Sequence, residues 1–191
     1  MEAGRAGLIL AAGASHRMRR PKALLRWGNT TLLDHALRQA RAARIADLVV
    51  VLGPATRELV LADVKVAFNP EPESGRSASI RLGSEALPDA ANAILVQSVD
   101  QPVETQVIAA LFEAVERGAL IAVPSHGGRR GHPICVAGAL LPELRVVSEA
   151  DEGLRAVVRR HGDGVVEVPV DSESVLWNLN DPVAYAAAVK R

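Results

Sequence analysis

Short apolar runs alternate with stretches of helical spacing along most of this chain, and that alternation limits the possible folds more than any other feature. Gly7 to Ala12, Leu48 to Leu52, Val64 to Phe68, Ala93 to Val96 and Leu120 to Val123 read as strands. Most carry no polar residue on either face, so both faces are expected to be covered. Between them, Leu32, Leu33, Ala36, Leu37, Ala40 and Ala43 form one apolar stripe from Thr31 onward. Ser77 to Leu87 reads as a helix with Ile80 and Leu82 inward, and Val107, Ile108, Leu111, Phe112 and Val115 make a further stripe. The expected fold class is therefore α/β: a mostly parallel sheet with helices on both sides.

Beyond Pro124 the pattern loosens. Residues 125–131 read as a polar, flexible loop, and Ile134 to Val136 and Val165 to Val168 as short strands. A helix is expected over Leu154 to Arg160, opened by Asp151-Glu152-Gly153 as a cap. A last helix is expected from Asp181 to Lys190, with Asp181 as N-cap and Pro182 in the first turn. No repeat, low-complexity tract or linker interrupts the chain, so residues 1–191 read as one domain.

Composition excludes several function classes. Lys plus Arg and Asp plus Glu both number 22, so the formal charge is zero, and aromatic residues are 3%. Neither the field nor the stacking surface for bulk nucleic-acid binding is present. No apolar run reaches the roughly 18 residues of a membrane span, and the first apolar run ends at Gly13 and a basic cluster rather than a cleavage site. The expectation is a cytoplasmic protein. A lone Cys135 excludes an internal disulfide or a cysteine-based zinc site.

The strongest chemical signal is Leu10-Ala11-Ala12-Gly13-Ala14-Ser15-His16-Arg17-Met18-Arg19-Arg20-Pro21-Lys22. Small residues at the end of a strand let main-chain N–H groups approach an anion closely. Arg17, Arg19, Arg20 and Lys22 follow within six positions, and guanidinium and ammonium donors suit a triphosphate. A tight turn followed by solvated charges is the alternative. No Gly-Lys-Ser/Thr follows, and Gly13 stands alone, so neither the Walker nor the Rossmann fingerprint is present. The second signal, Asp100-Gln101-Pro102, falls at the carboxyl end of the fourth strand, where open parallel sheets bind ligands. Asp100 there suits Mg²⁺, or alternatively caps the following helix. Asn178-Leu179-Asn180-Asp181 offers a further oxygen ligand or an ordinary cap. Asn69-Pro70 through Ile80, and Arg130-Gly131-His132-Pro133, are two more polar segments that suit ligand contact or simple loop punctuation.

Taken together, Leu-Ala-Ala-Gly-x-Ser-x-Arg-Met-x-x-Pro-Lys, Asp100-Gln101-Pro102, Gly131-His132-Pro133, the Asn69-Pro70 to Gly75-x-Ser-x-Ser-Ile80 stretch and the final Asn-x-Asn-Asp-Pro resemble the molybdenum cofactor nucleotidyltransferases. The likeness is to the cytidylyltransferase branch and covers about residues 7 to 187. It implies a Rossmann-like three-layer sandwich of the nucleotide-diphospho-sugar transferase type. It implies transfer of CMP from CTP to molybdopterin with release of pyrophosphate, with a molybdenum hydroxylase as a further partner. By the same resemblance, Leu10, Ala11, Ala12, Gly13, Ser15, Arg17, Lys22, Ser77 and Ser79 hold the nucleotide, and Lys22, Arg17 and Asp100 are catalytic. Asp100 and Asn180 hold Mg²⁺, and His132 and Arg130 meet the acceptor. The chain departs from the family pattern at Arg19, at Ser98-Val99 and at Ala150 to Leu154. Rival readings are transfer to a sugar phosphate, a molybdenum cofactor carrier without turnover, and an oxidoreductase related to the family.

Overall fold

The computed structural model describes residues 4–13, 15–18 and 20–190, so the departure at Arg19 lies outside the described residues. The apolar runs form strands β1 (Arg5–Leu10), β4 (Asp47–Leu52), β5 (Lys65–Phe68), β6 (Ala93–Ser98) and β7 (Ile121–His126). A small antiparallel ribbon, β2 (Arg26–Trp27) with β3 (Thr30–Thr31), intervenes early in the chain. Late strands are β8 (Arg129–Arg130), β9 (Ile134–Ala137) and β10 (Val165–Pro169). The main sheet runs β10-β7-β9-β6-β1-β4-β5, with β8 hairpinned onto β7. Segment 125–131, expected as a flexible loop, is instead mostly a hairpin: Ser125 and His126 pair with Arg130 and Arg129 across a turn at Gly127-Gly128.

The sheet is parallel except at β9, which runs antiparallel to both β6 and β7, and at the short β8, antiparallel to β7. From β1 the chain builds outward through β4 and β5, then returns to place β6 on the other side of β1. The order reverses there, which opens a crevice beyond the carboxyl ends of β1 and β6.

Helices α1 (Leu32–Ala42) and α3 (Thr105–Glu116) cover one face, and α2 (Arg76–Glu85), the short α4 (Leu141–Leu144) and α5 (Leu154–Arg160) cover the other. α6 (Pro182–Val189) joins the first layer through Ala188. β1 shows why a run without polar residues is needed: Ile9 packs with the α1–α3 layer while Ala6, Leu8 and Leu10 pack with the α2 layer.

Two local readings change. The opening of α5 is not capped by Asp151: the N-cap is Gly153, without a side-chain cap, and Ser148 caps the preceding turn instead. Glu152 and Gly153 both have positive φ, which turns the chain too sharply for a side-chain cap at Asp151. Asp100 does not cap α3 either, because Glu104 holds that position. Asp181 does cap α6, accepting from the N–H groups of Val183 and Ala184 at 2.9 Å each.

Candidate active site

Three segments distant in sequence are stitched together by main-chain bonds before any side chain is considered. Ala11 N donates to Val51 O (2.9 Å) and Val99 N donates to Leu10 O (3.0 Å), which holds the end of β1 against β4 on one side and the end of β6 on the other. Leu179 N donates to Asp100 O (3.0 Å), which ties the chain before α6 to the tip of β6. The small-residue loop is fixed from below by Gly53, whose missing Cβ would stand 2.5 Å from Ala12 O. A Gly53→Ala variant should push Ala12 outward, cost about 1–3 kcal/mol of stability and weaken nucleotide binding; urea unfolding and a nucleotide titration measure both.

The loop then folds on itself. Ser15 sits in the left-handed region (φ 56°), and its Oγ donates to Gly13 O (3.2 Å) while accepting from Lys22 N (3.1 Å). This bond holds the start of the Lys22–Leu24 turn against the small-residue loop. The Lys22 side chain crosses to the other segments. Its Nζ donates to Asp100 Oδ2 at 2.6 Å and to Asn180 Oδ1 at 2.5 Å. The side chains of Lys22 and Asp100 are only 16% and 14% exposed, so this contact is sheltered from bulk water. The basic turn and the acid at the end of β6 therefore share one crevice.

The crevice measures about 190 Å³. Leu10, Ala11, Ala12, Gly13, Ser15 and Lys22 form its floor and one wall. Gly75, Arg76 and Ser79 from the start of α2, with Ser98, Val99 and Asp100, form the other. The Cβ position of Gly13 has nothing within 4 Å, so its backbone faces open space where a ligand can approach. Ser79 is buried and its Oγ accepts from Asn69 Nδ2 (2.9 Å). Asn69 Oδ1 accepts from Glu71 N (2.9 Å), so Asn69 shapes the α2 entry loop rather than facing a ligand.

Other residues stand apart from the crevice. Arg17 is exposed on the turn His16–Met18 and does not line it. Ser77 is buried on the neighbouring side of α2, where its N–H donates to Glu149 Oε1 (2.6 Å). Arg130 is exposed and paired with Glu167 (2.7 Å) on β10. His132 is half-buried, with its N–H donating to Val175 O (2.8 Å). Gly131 is required before it, since a Cβ there would lie 2.3 Å from Val175 O. Burial, helped by the positive charges of Arg76 and Arg155 and opposed by Asp100, holds the His132 imidazole below its ordinary pKa. Trp27 and Trp177 meet edge to face (6.1 Å) and serve packing beside the Asn178–Asn180 segment.

Arg76 carries no signal of its own in the sequence beyond its place in the polar segment from Asn69 to Ile80. It lines the crevice and remains open to solvent, yet protein atoms crowd it. Desolvation lowers its pKa, the Asp100 and Glu149 carboxylates oppose that, and Arg155 adds to it.

The donor set can be tested against a divalent cation. Two hard oxygens, one charged and one neutral, already converge on a single cationic atom. Mg²⁺ takes one or two carboxylates plus phosphate and water oxygens, so Asp100 and Asn180 fit it together with a nucleotide and not as a complete cage. Among the described residues no group of three or more His, Cys, Asp or Glu forms a metal site by itself. No helix among them is long and apolar enough to cross a membrane.

A crevice at the strand-order reversal, floored by a small-residue loop and closed by Lys22, Asp100 and Asn180, defines a nucleotide-handling α/β protein. The chain belongs to the MobA-like NTP transferase domain family, whose model matches residues 7–165, and is thus a member of a nucleotidyltransferase family. It is 29% identical over 166 residues to nicotine blue oxidoreductase of Paenarthrobacter nicotinovorans, covering 81% of each chain. It is 32% identical over 195 residues to 2-C-methyl-D-erythritol 4-phosphate cytidylyltransferase of Streptomyces avermitilis (92% of this chain, 76% of that one). It is 31% identical over 191 residues to molybdenum cofactor guanylyltransferase of Rhizobium meliloti (92% and 86%). Among solved structures, Rv0371c of Mycobacterium tuberculosis H37Rv superposes with a TM-score of 0.86 at 28% identity over the whole of both chains. A structure of Rv0371c in complex with manganese gives 0.80 at 26% identity, again over the whole of both chains. The three-layer sandwich is that of the nucleotide-diphospho-sugar transferases.

Proposed function

We propose that this protein is a Mg²⁺-dependent cytidylyltransferase that moves CMP from CTP to a phosphorylated acceptor, with molybdopterin as the acceptor and pyrophosphate as the second product. The observation that carries this reading is the meeting of Lys22, Asp100 and Asn180 at one point beside the small-residue loop. The manganese complex of Rv0371c and the guanylyl- and cytidylyltransferase relatives support it.

In the proposed reaction an oxygen of the acceptor's phosphate forms a bond to the α-phosphorus of CTP. The bond from that phosphorus to the bridging oxygen of the β-phosphate breaks, and the electron pair leaves with pyrophosphate. No covalent enzyme intermediate is needed. The main chain of Leu10 to Gly13 lies along the nucleotide, and the N–H groups after Ala11, whose own is taken by Val51 O, are directed at it. Lys22 exchanges its two oxygen partners for phosphate oxygens, and Arg17 closes from its exposed turn onto the same phosphates. Asp100 and Asn180, released by Lys22, hold the cation. When bound, Mg²⁺ neutralises charge on the phosphates and orients them. His132, held neutral beside Arg76, lies toward the acceptor, as does Arg130 from its hairpin.

The reading is tested by a thermal-shift screen of CTP, GTP, ATP and NADPH with and without Mg²⁺, followed by pyrophosphate release with molybdopterin. A ligand that binds only the native state raises the melting temperature. CTP with Mg²⁺ is expected to give the largest shift. A shift with NADPH alone would instead favour the oxidoreductase reading that the Paenarthrobacter relative suggests.

A further inference from the structure

We propose that Arg76 and Arg155 form a seat for the acceptor's phosphate group, in a cavity that adjoins the nucleotide crevice through Arg76. The acceptor role rests on the transferase reading above; the anion seat itself does not. Arg76 is the first residue of α2 and lines both cavities. The second cavity measures about 410 Å³ and is also lined by Arg155, Ser77, Glu149 and Glu152.

That cavity brings two arginine side chains to one opening. Several other arginines are already occupied: Arg5 pairs with Glu116, Arg130 with Glu167, Arg145 with Asp89, Arg159 with Glu152 and Arg160 with Glu143. Among the described residues, neither Arg76 nor Arg155 makes a side-chain hydrogen bond or an ion pair. The nearby carboxylates already have partners of their own. Glu152 is held by Arg159, and Glu149 is engaged by the main chain of Ser77 and Arg76 at the start of α2, reaching the Arg76 guanidinium only through space. The two guanidiniums repel one another, and both act on His132.

Two unpaired guanidiniums held together cost free energy until an anion joins them. A phosphate monoester carries two negative charges and accepts planar, bidentate donors, which suits such a pair. Arg76 and Asp100 line the same crevice, so an anion held on Arg76 sits next to the reacting end of the nucleotide. This selects acceptors that attack through a phosphate oxygen over those that attack through a hydroxyl.

The seat is tested by calorimetric titration of methyl phosphate into the full chain saturated with CTP and Mg²⁺. Arg155→Ala and Arg76→Ala are expected to weaken methyl phosphate binding by about tenfold or more. Arg155→Lys should recover part of it, and CTP binding to Arg155→Ala should stay within about twofold of the parent. Arg155 is exposed, so its variants should fold, and an unchanged melting temperature verifies this. Equal methyl phosphate binding by the parent and both alanine variants, or none by the CTP-bound parent, overturns the proposal. A second titration without nucleotide uses Lys22→Ala as background, where the crevice's own cation is removed. There, loss of binding on adding Arg155→Ala supports the seat and unchanged binding overturns it. Failure of the parent to bind CTP would refute the transferase reading while this second arm still judges the seat.

Discussion

Lys22→Ala is expected to lower CTP-dependent pyrophosphate release by about 10²–10³-fold, the usual loss when one preorganised donor to developing charge is removed. The fold should persist, because the surrounding loop is held by the main-chain and Ser15 bonds rather than by the ammonium. A second consequence separates this lysine from an ordinary phosphate ligand. Its Nζ lies 2.6 Å from Asp100 Oδ2 and 2.5 Å from Asn180 Oδ1, where a divalent cation would also bind. An ammonium and a doubly charged ion about 4 Å apart repel by several kcal/mol even at an effective dielectric near 20. Free Mn²⁺ should therefore bind more tightly to Lys22→Ala than to the parent in the absence of nucleotide. Electron paramagnetic resonance of free Mn²⁺ reads this directly. Turnover within about tenfold of the parent would show that Lys22 does not meet the phosphates.

Asp100→Asn should be as damaging, for a different reason. The substitution keeps shape and leaves one oxygen acceptor, but it removes the only charge of the two-oxygen set. The bonds that position residue 100, from Val99 N to Leu10 O and from Leu179 N to Asp100 O, are main-chain and survive. A metal that no longer sits at the phosphates forfeits several kcal/mol of charge stabilisation, so turnover should fall by about 10³-fold or more. Raising Mg²⁺ should restore part of it. Retention of parental turnover and parental Mg²⁺ dependence in this variant would remove Asp100 from the metal site.

The two variants depend on a meeting of residues that the sequence announces only in pieces. Lys22, Asp100 and Asn180 each stand in a segment whose local pattern suits a ligand loop. Their convergence depends on β6 returning beside β1, and strand order is not written in apolar periodicity. The elements themselves were legible because a strand buried on both faces, such as Leu48 to Leu52, has no other soluble use. The direction of β9 was not, since Ile134 to Ala137 has the same composition whichever way it runs. The Asp151 cap failed for a similar reason: an acid before a helix is a fair signal, but two residues with positive φ displaced it. Arg76 and Arg155 gave no signal as a pair, being two single arginines on different helices whose nearness is wholly tertiary.

The reversed direction of β9 also decides which peptide link reaches the ligand edge. A parallel strand delivers the residues that follow it, as β1 and β6 do. An antiparallel one inserted between β6 and β7 delivers those that precede it, here Gly131-His132-Pro133. That link is the returning arm of the hairpin through Gly127 and Gly128, and it touches the β1 loop through no shared turn. Such a layout lets the hairpin change length and composition, and with them, on the proposed reading, the choice of second substrate, while the loop after β1 stays as it is.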